Sequence, residues 1–245
     1  MNNSINSNNN DNRAREILRN VALIRERMMT AAISAGRNPD EISLVAVSKS
    51  FDAETVKLSH DCALSAYGEN RVQEMLAKQA EGAYGNTPVH MIGTLQKNKV
   101  NKVVGKVSLI QSVDSIELAC CISRRAVALG VTQEILVQVN IGRESTKGGV
   151  YPECADELTA MISELDGIKL RGLMAIPPKT EVSSENMKYF LEMYKLLVDI
   201  RGKKYDNISM DILSMGMSGD FEAAIAGGSN MIRIGSAIFG QRDSR

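Results

Sequence analysis

Hydrophobic and polar positions follow two different rhythms along this chain. Short, continuous apolar runs rich in β-branched residues recur eight times, and segments with helical spacing of apolar residues separate most of them. The runs cover residues 43–48, 63–67, 89–93, 107–113, 134–140, 170–176, 210–215 and 231–235. Runs of this kind are typical of strands that are buried on both faces of a parallel sheet.

The segments around these runs carry helix signals. An amphipathic helix is predicted before the first strand, over residues 13–35. Asp52 is expected to cap a short helix, a lysine-rich helix is expected after the third run, and Ser218 is expected to cap a helix over residues 220–226. Strands that alternate with helices form parallel sheets through right-handed crossovers. The fold class predicted is therefore α/β, a single (β/α)8 TIM barrel with an extra N-terminal helix.

An open doubly wound sheet is the alternative architecture. It is usually built from fewer strands, and no run here is followed by its G-x-G-x-x-G pattern. Residues 1–12 are dominated by Asn and Ser and offer too little apolar surface to become ordered. We therefore expect a disordered Asn-rich tail over residues 1–12 and one barrel domain over residues 13–245.

Composition and charge exclude several classes of function. Among 245 residues, Lys+Arg and Asp+Glu each number 29, so the formal net charge is zero. A neutral chain with 4% aromatic residues is a poor candidate for nucleic-acid binding. No apolar run approaches the length of a membrane span, and no targeting pattern is visible, so a cytoplasmic location is expected. The cysteines and histidines lack zinc-site spacing, so no metal is expected.

Candidate chemistry lies where barrels keep it, at the carboxyl ends of the strands. Lys49 ends the first run, where partial desolvation would favour the neutral amine that a Schiff base requires. The last two runs lead through serine and glycine loops into helix N-termini, which can hold phosphate. The residues of this predicted phosphate cradle are Ser214, Gly216, Ser218, Gly235 and Ser236. An ordinary surface lysine and ordinary glycine turns are the alternatives.

Arg233 and His90 interrupt strands that are otherwise apolar. Arg233 points either outward between helices or into the mouth of the barrel, and for His90 a hydrogen-bonded place in the core is favoured. A Schiff-base lysine beside a phosphate site suits either pyridoxal phosphate or a phosphorylated sugar. An arginine at the pyridine nitrogen would keep that nitrogen unprotonated, which suits a carrier or a mild proton-transfer site.

Six motifs stand at the ends of the predicted strands. They are Val45-Ala-Val-Ser-Lys49, Gly68-Glu-Asn70, His90-Met-Ile-Gly93, Arg171-Gly-Leu-Met-Ala-Ile-Pro177, Leu213-Ser-Met-Gly-Met-Ser-Gly-Asp220 and Ile232-Arg-Ile-Gly-Ser-Ala-Ile-Phe-Gly240. Together they resemble the YggS/PROSC family of pyridoxal phosphate homeostasis proteins, over residues 13–243. Thr94, where the family commonly has proline, and Lys147-Gly148, where Lys-Ser is usual, depart from the pattern.

The resemblance implies a barrel similar to the N-terminal domain of alanine racemase, the type III pyridoxal phosphate fold. Lys49 matches the lysine that forms the internal aldimine with pyridoxal 5′-phosphate, and Arg233 matches the arginine that faces the pyridine nitrogen. Asn70 falls in a motif near the cofactor, and the five cradle residues fall in the phosphate-holding segments. The family also suggests a monomer that influences vitamin B6 balance without robust catalysis.

Catalysis is not expected, because racemisation needs an acid or base on each face of the substrate carbon. Among the six tyrosines, Tyr67 alone lies near a predicted strand end. No catalytic residue is therefore assigned. The predicted function is intracellular pyridoxal phosphate homeostasis, with the cofactor and apo-enzymes that accept it as partners. A weak type III racemase and a cofactor-free sugar-phosphate enzyme are the alternatives.

Overall fold

Eight parallel strands form a closed barrel in which each strand pairs with the next along the chain and the last pairs with the first. The computed structural model describes residues 2–178 and 183–241. The strands are β1 Ser43–Val47, β2 Ala66–Glu69, β3 Val89–Met91, β4 Leu109–Val113, β5 Gln133–Val139, β6 Ile168–Ala175, β7 Ile208–Ser214 and β8 Met231–Ile234. The predicted (β/α)8 barrel is confirmed, and each apolar run overlaps one of its strands.

Helices follow most strands and form the outer layer. They are α1 Asn2–Ser34, α2 Ala53–Lys57, α3 Val72–Ala80, α4 Ile116–Leu129, α5 Pro152–Ser163, α6 Met187–Gly202, α7 Phe221–Ala226 and α8 Ser236–Phe239. Asp52 caps α2 as predicted, since its Oδ1 accepts a hydrogen bond from the Thr55 amide at 2.7 Å.

Two helix predictions are wrong. The lysine-rich helix expected after β3 is a 3-10 segment, Lys97–Lys102, in which Val100 is the buried residue. The chain leaves helical geometry soon afterwards, because Gly105 has a φ of +79°, in the left-handed conformation that ends helices. Ser218 does not cap α7. Asp220 occupies the cap position, and its Oδ1 accepts a hydrogen bond from the Met217 amide at 2.7 Å.

The inside of the barrel is filled by a small apolar cluster that is separate from the core between strands and helices. Its members, one from most strands, are Val45, Ala66, Leu109, Leu136, Met174 and Met231, with Ile176 and Ile212 packed against them. This cluster closes the barrel below its carboxyl end. Polar side chains that point inward above it are therefore held at the mouth.

The extra N-terminal helix is confirmed as α1, which packs on α7 and α8. It spans Asn2–Ser34, so residues 2–12, which we expected to be disordered, continue the helix. Residues 10–12 are exposed and the buried stripe begins at Ile17, so packing against the barrel starts only after this segment. The domain boundary at residue 13 stays a prediction. In the described part of the chain, none of the helices has the length and apolar character to cross a membrane.

Candidate functional site

Lys49 lies in the turn that follows β1, at the carboxyl end of the barrel, and is half-buried. Strand β8 pairs with β1 here, with Val45 opposite Arg233. Gly235 follows β8 so closely against β1 that a Cβ atom on it would lie 3.2 Å from the Val47 carbonyl oxygen. The lysine and the glycine therefore stand at neighbouring strand ends, as the strand-end argument predicts.

The loops after β7 and β8 meet at the mouth. The hydroxyl of Ser236 lies 3.5 Å from that of Ser218, and the Arg233 amide donates to the Gly216 carbonyl at 3.0 Å. Gly216 has a φ of +94° and packs so tightly that a Cβ atom would lie 2.6 Å from the Cβ of Ala224. Only glycine suits both conditions. The structure thus brings four of the five predicted cradle residues to one place.

Ser214, the fifth predicted cradle residue, takes a different position. It is fully buried, and its hydroxyl donates to the Gln111 Oε1 at 2.7 Å while accepting from the Arg233 Nη1 at 2.6 Å. Ser214 is the last residue of β7 and its side chain enters the barrel, whereas the cradle forms in the loop beyond it. The hydroxyl therefore serves Arg233, and we correct our assignment of Ser214 to the phosphate cradle.

Arg233 points into the barrel, which decides between the two orientations that the sequence left open. Its guanidinium is buried and donates to Ser214 and, at 2.9 Å, to the carbonyl oxygen of Ala175. Burial lowers the pKa of Arg233 to about 10, and Asp220 offsets part of this effect. The side chain is still cationic at neutral pH, and two bonds leave guanidinium N–H groups for a ligand.

His90 and Gln111 extend this polar chain across the barrel. The Gln111 Nε2 lies 3.0 Å from the His90 Nδ1, and burial lowers the pKa of His90 to about 4, so the imidazole is neutral near pH 7. His90 is thus a hydrogen-bonded core histidine, as favoured from the sequence. An amide nitrogen can only donate, so the Nδ1 accepts and the proton lies on Nε2. Gln111 was not predicted, although a glutamine within an apolar strand is a visible signal.

Asn70 follows β2 at the same end of the barrel. Its Oδ1 is buried and has no hydrogen-bond partner among the described residues. The Asn70 backbone is pressed against Gly93, where a Cβ atom would lie 2.4 Å from the Asn70 carbonyl oxygen. A buried amide oxygen without a partner is what a bound polar group or water would satisfy.

Comparisons with known proteins agree with this geometry. Residues 16–243 match the family model described as the N-terminal domain of alanine racemase. The pyridoxal phosphate homeostasis protein of Aquifex aeolicus is 41% identical over 222 residues, covering 91% of this chain and 96% of that protein. The protein of the same name from Escherichia coli K12 is 39% identical over 232 residues, covering 93% and 97%.

Solved structures show the same barrel. PipY of Synechococcus elongatus PCC7942 with PLP bound superposes with a TM-score of 0.77 at 32% identity, covering 89% of this chain and all of that one. The alanine racemase of Clostridium difficile 630 superposes with a TM-score of 0.70 at 20% identity. The match covers 92% of this chain and 57% of the racemase chain, so the two share the fold. This chain belongs to the family of pyridoxal phosphate homeostasis proteins, whose barrel is that of the alanine racemase N-terminal domain.

Proposed function

We propose that this chain binds pyridoxal 5′-phosphate at the mouth of its barrel and takes part in intracellular vitamin B6 homeostasis. The observation that carries the proposal is the meeting of Lys49, the Gly235 loop and the buried Arg233 at the paired ends of β1 and β8. The names of the relatives and the PLP-bound PipY structure support it.

The residues at the mouth fit the three polar parts of this cofactor. The hydroxyls of Ser218 and Ser236, with the backbone at Gly216 and Gly235, would hold the phosphate. Arg233 would donate a hydrogen bond to the pyridine nitrogen from inside the barrel. Lys49 would bind the aldehyde carbon through its Nζ. The buried Oδ1 of Asn70, which has no hydrogen-bond partner among the described residues, would accept a hydrogen bond from a polar group beside the ring. When bound, the cofactor supplies a reactive aldehyde joined to an electron-accepting ring.

Arg233 suits a carrier or a mild proton-transfer site, because an arginine keeps the pyridine nitrogen unprotonated. Enzymes that use the ring as a strong electron sink usually set an aspartate beside the nitrogen, where it accepts a hydrogen bond from the protonated ring. A guanidinium can only donate, so it weakens the electron sink. The guanidinium is fixed by Ser214 and the Ala175 carbonyl, so it cannot turn away from the nitrogen without breaking buried hydrogen bonds. Lys49 is then the group at the mouth that we expect to exchange a proton with a ligand.

Tyr67 cannot supply the second acid or base. It faces away from the inside of the barrel, its side chain is fully buried, and its hydroxyl lies 2.8 Å from that of Ser59. Burial also raises the pKa of Tyr67. We propose accordingly that the protein turns over amino acids far more slowly than the roughly 10 per second of a typical enzyme. A coupled racemase and transaminase assay tests this, and turnover near that rate would overturn the carrier proposal in favour of a type III enzyme.

Borohydride reduction tests the assignment of Lys49. The purified protein should be yellow with added pyridoxal phosphate, bleach on reduction, and carry the pyridoxyl group on Lys49 in a peptide map. Lys49→Ala should abolish the bound absorption band, whereas Lys57→Ala, at a half-exposed lysine in α2, should leave it unchanged. A colourless protein, or full labelling of Lys49→Ala, would refute the site.

The proposal also covers transfer of the cofactor to other enzymes, the cellular location of the protein and its oligomeric state. The resemblance supports a cytoplasmic monomer that passes its cofactor to apo-enzymes. Activation of an apo-enzyme by the loaded protein, measured in the presence of a trap for free pyridoxal phosphate, tests direct transfer. Sedimentation of the loaded protein tests the monomer.

A further inference from the structure

A buried network of charged side chains lies directly beneath the turn that carries Lys49. Glu69, the last residue of β2, has no exposed surface, and Lys78 of α3 is nearly as deeply buried. The Lys78 Nζ lies 2.7 Å from the Glu69 Oε1 and 2.7 Å from the Glu74 Oε1. The free energy of removing these charges from water can exceed the attraction between them. A stabilising effect on the fold therefore does not explain why this ion pair is buried, whereas a role in the site would.

The Glu69 Oε1 also accepts from the Tyr84 hydroxyl at 3.1 Å, and the other bonds of this network go to the residues on either side of Lys49. The Lys78 Nζ donates to the Ser48 carbonyl oxygen at 2.7 Å, and the Ser48 hydroxyl donates to the Glu69 Oε1 at 2.6 Å. The Glu74 Oε1 accepts from the Ser50 amide at 2.5 Å. Lys78 and Glu74 thus hold the backbone immediately before and after the lysine, and Glu69 holds both the Ser48 hydroxyl and Lys78.

The turn they hold has an unfavourable conformation. Ser50 has a φ of 69°, in the left-handed region that residues with a Cβ atom rarely adopt. Such a conformation persists where the surrounding structure determines it, and it occurs often at functional sites. Here the Glu74 carboxylate holds the Ser50 amide, so the network sustains the turn from which the Lys49 side chain leaves the barrel end.

We propose that Lys78, with Glu69 and Glu74, positions Lys49 for its reaction with the cofactor aldehyde. The network fixes the direction in which the Lys49 side chain leaves the backbone, and the cradle fixes the phosphate of the cofactor. The Nζ is therefore held near the aldehyde carbon with which it reacts. The inference rests on the proposed binding of pyridoxal phosphate at this mouth. Lys78 and Glu74 are positioning residues that act through the Ser48 and Ser50 backbone, and Glu69 acts through Lys78 and the Ser48 hydroxyl.

The test separates binding from bond formation. In Lys78→Met, the rate at which pyridoxal phosphate becomes reducible onto Lys49 should fall on the order of tenfold to a hundredfold, as when a reacting group is misplaced by about 1 Å. The affinity for pyridoxine 5′-phosphate, which has an alcohol in place of the aldehyde, should not change. Lys57→Met is the matched control, because Lys57 also lies 2.7 Å from a carboxylate one helical turn away but is half-exposed.

A second pair of variants keeps the test decisive if Lys78→Met does not fold. Glu74 is partly exposed, and Glu74→Ala leaves the buried Glu69–Lys78 pair intact while removing the acceptor for the Ser50 amide. Attachment should slow in Glu74→Ala and recover in Glu74→Gln, whose amide oxygen can still accept that bond.

The outcomes distinguish this inference from the proposed function. Wild-type protein that never acquires cofactor on Lys49 refutes the proposed function itself. Wild-type attachment with an equal rate in a folded Lys78→Met, or in Glu74→Ala if Lys78→Met is unfolded, overturns the positioning role. A parallel loss of pyridoxine phosphate affinity also overturns it, because the network would then support the whole site rather than the lysine.

Discussion

The Nη1 of Arg233 lies 2.6 Å from the Oγ of Ser214, inside the barrel and beyond the reach of solvent. That serine also donates to Gln111, whose amide nitrogen lies against His90, so a chain of polar side chains crosses the barrel from β3 to β8. Each member has its hydrogen-bonding direction set by the next. The neutral histidine accepts, the amide both donates and accepts, and the serine is left to accept from the arginine.

Ser214→Ala should weaken cofactor binding through Arg233. The free energy of unfolding should fall by about 1–3 kcal/mol, because Arg233 and Gln111 each lose a buried partner. Affinity for pyridoxal phosphate should fall as well. The control is Ser229→Ala, at an equally buried serine whose hydroxyl contacts backbone carbonyls. It should destabilise the protein to a similar extent and leave affinity intact. Equal affinities in the two variants would contradict the role given to Ser214.

Arg233→Met should separate stability from function. The guanidinium donates its hydrogen bonds to neutral acceptors. Replacing it with an apolar side chain therefore removes a buried charge without leaving a hydrogen-bonded carboxylate unpaired. Without cofactor, the free energy of unfolding should stay within about 1 kcal/mol of wild type or rise. Cofactor affinity should fall. Urea denaturation of the cofactor-free protein, with spectroscopic titration, measures both quantities, and a loss of stability as large as that of Ser214→Ala would count against this account.

Acid should destabilise the protein through His90. Its pKa falls from 6.5 to about 4 on burial, so the folded state binds fewer protons than the unfolded state. The resulting stability is complete above pH 6.5 and is lost as the pH falls towards 4, by about 3 kcal/mol in total. His90→Asn keeps an acceptor for Gln111 and does not titrate, so the difference between the two stability curves should shrink with falling pH. His60→Asn, at the one other histidine of the chain, is the control.

Gly216→Ala should damage the phosphate cradle, whereas Gly219→Ala should not. A Cβ atom at Gly216 would meet Ala224 at 2.6 Å in a backbone conformation of φ +94°, while at Gly219 it would enter open space. Gly216→Ala should therefore shift α7 or the loop, cost about 1–3 kcal/mol of stability and weaken binding of inorganic phosphate. Gly219→Ala should lie within about 0.5 kcal/mol of wild type. Equal phosphate binding by both variants would argue against a cradle at this loop.

The sequence by itself determined the eight strands, their parallel order and the barrel. Each strand is a short apolar run bounded by polar residues, and that information is local. Lys49 could be predicted because the end of an apolar run is the end of a strand, and strand ends gather at one face of a barrel. The same reasoning placed the glycines and serines of the loops after β7 and β8 at that face.

The tertiary structure alone decided which side chains meet. Ser214 and Gln111 are 103 positions apart, and no local pattern tells a serine at a strand end whether it faces the mouth or an arginine. Glu69 stood within a recognised motif, yet its pairing with Lys78 and their hold on Ser48 depend on how α3 lies against β2. Hydrophobic periodicity records burial one residue at a time. A hydrogen bond between distant strands exists only once the barrel has closed and set its register.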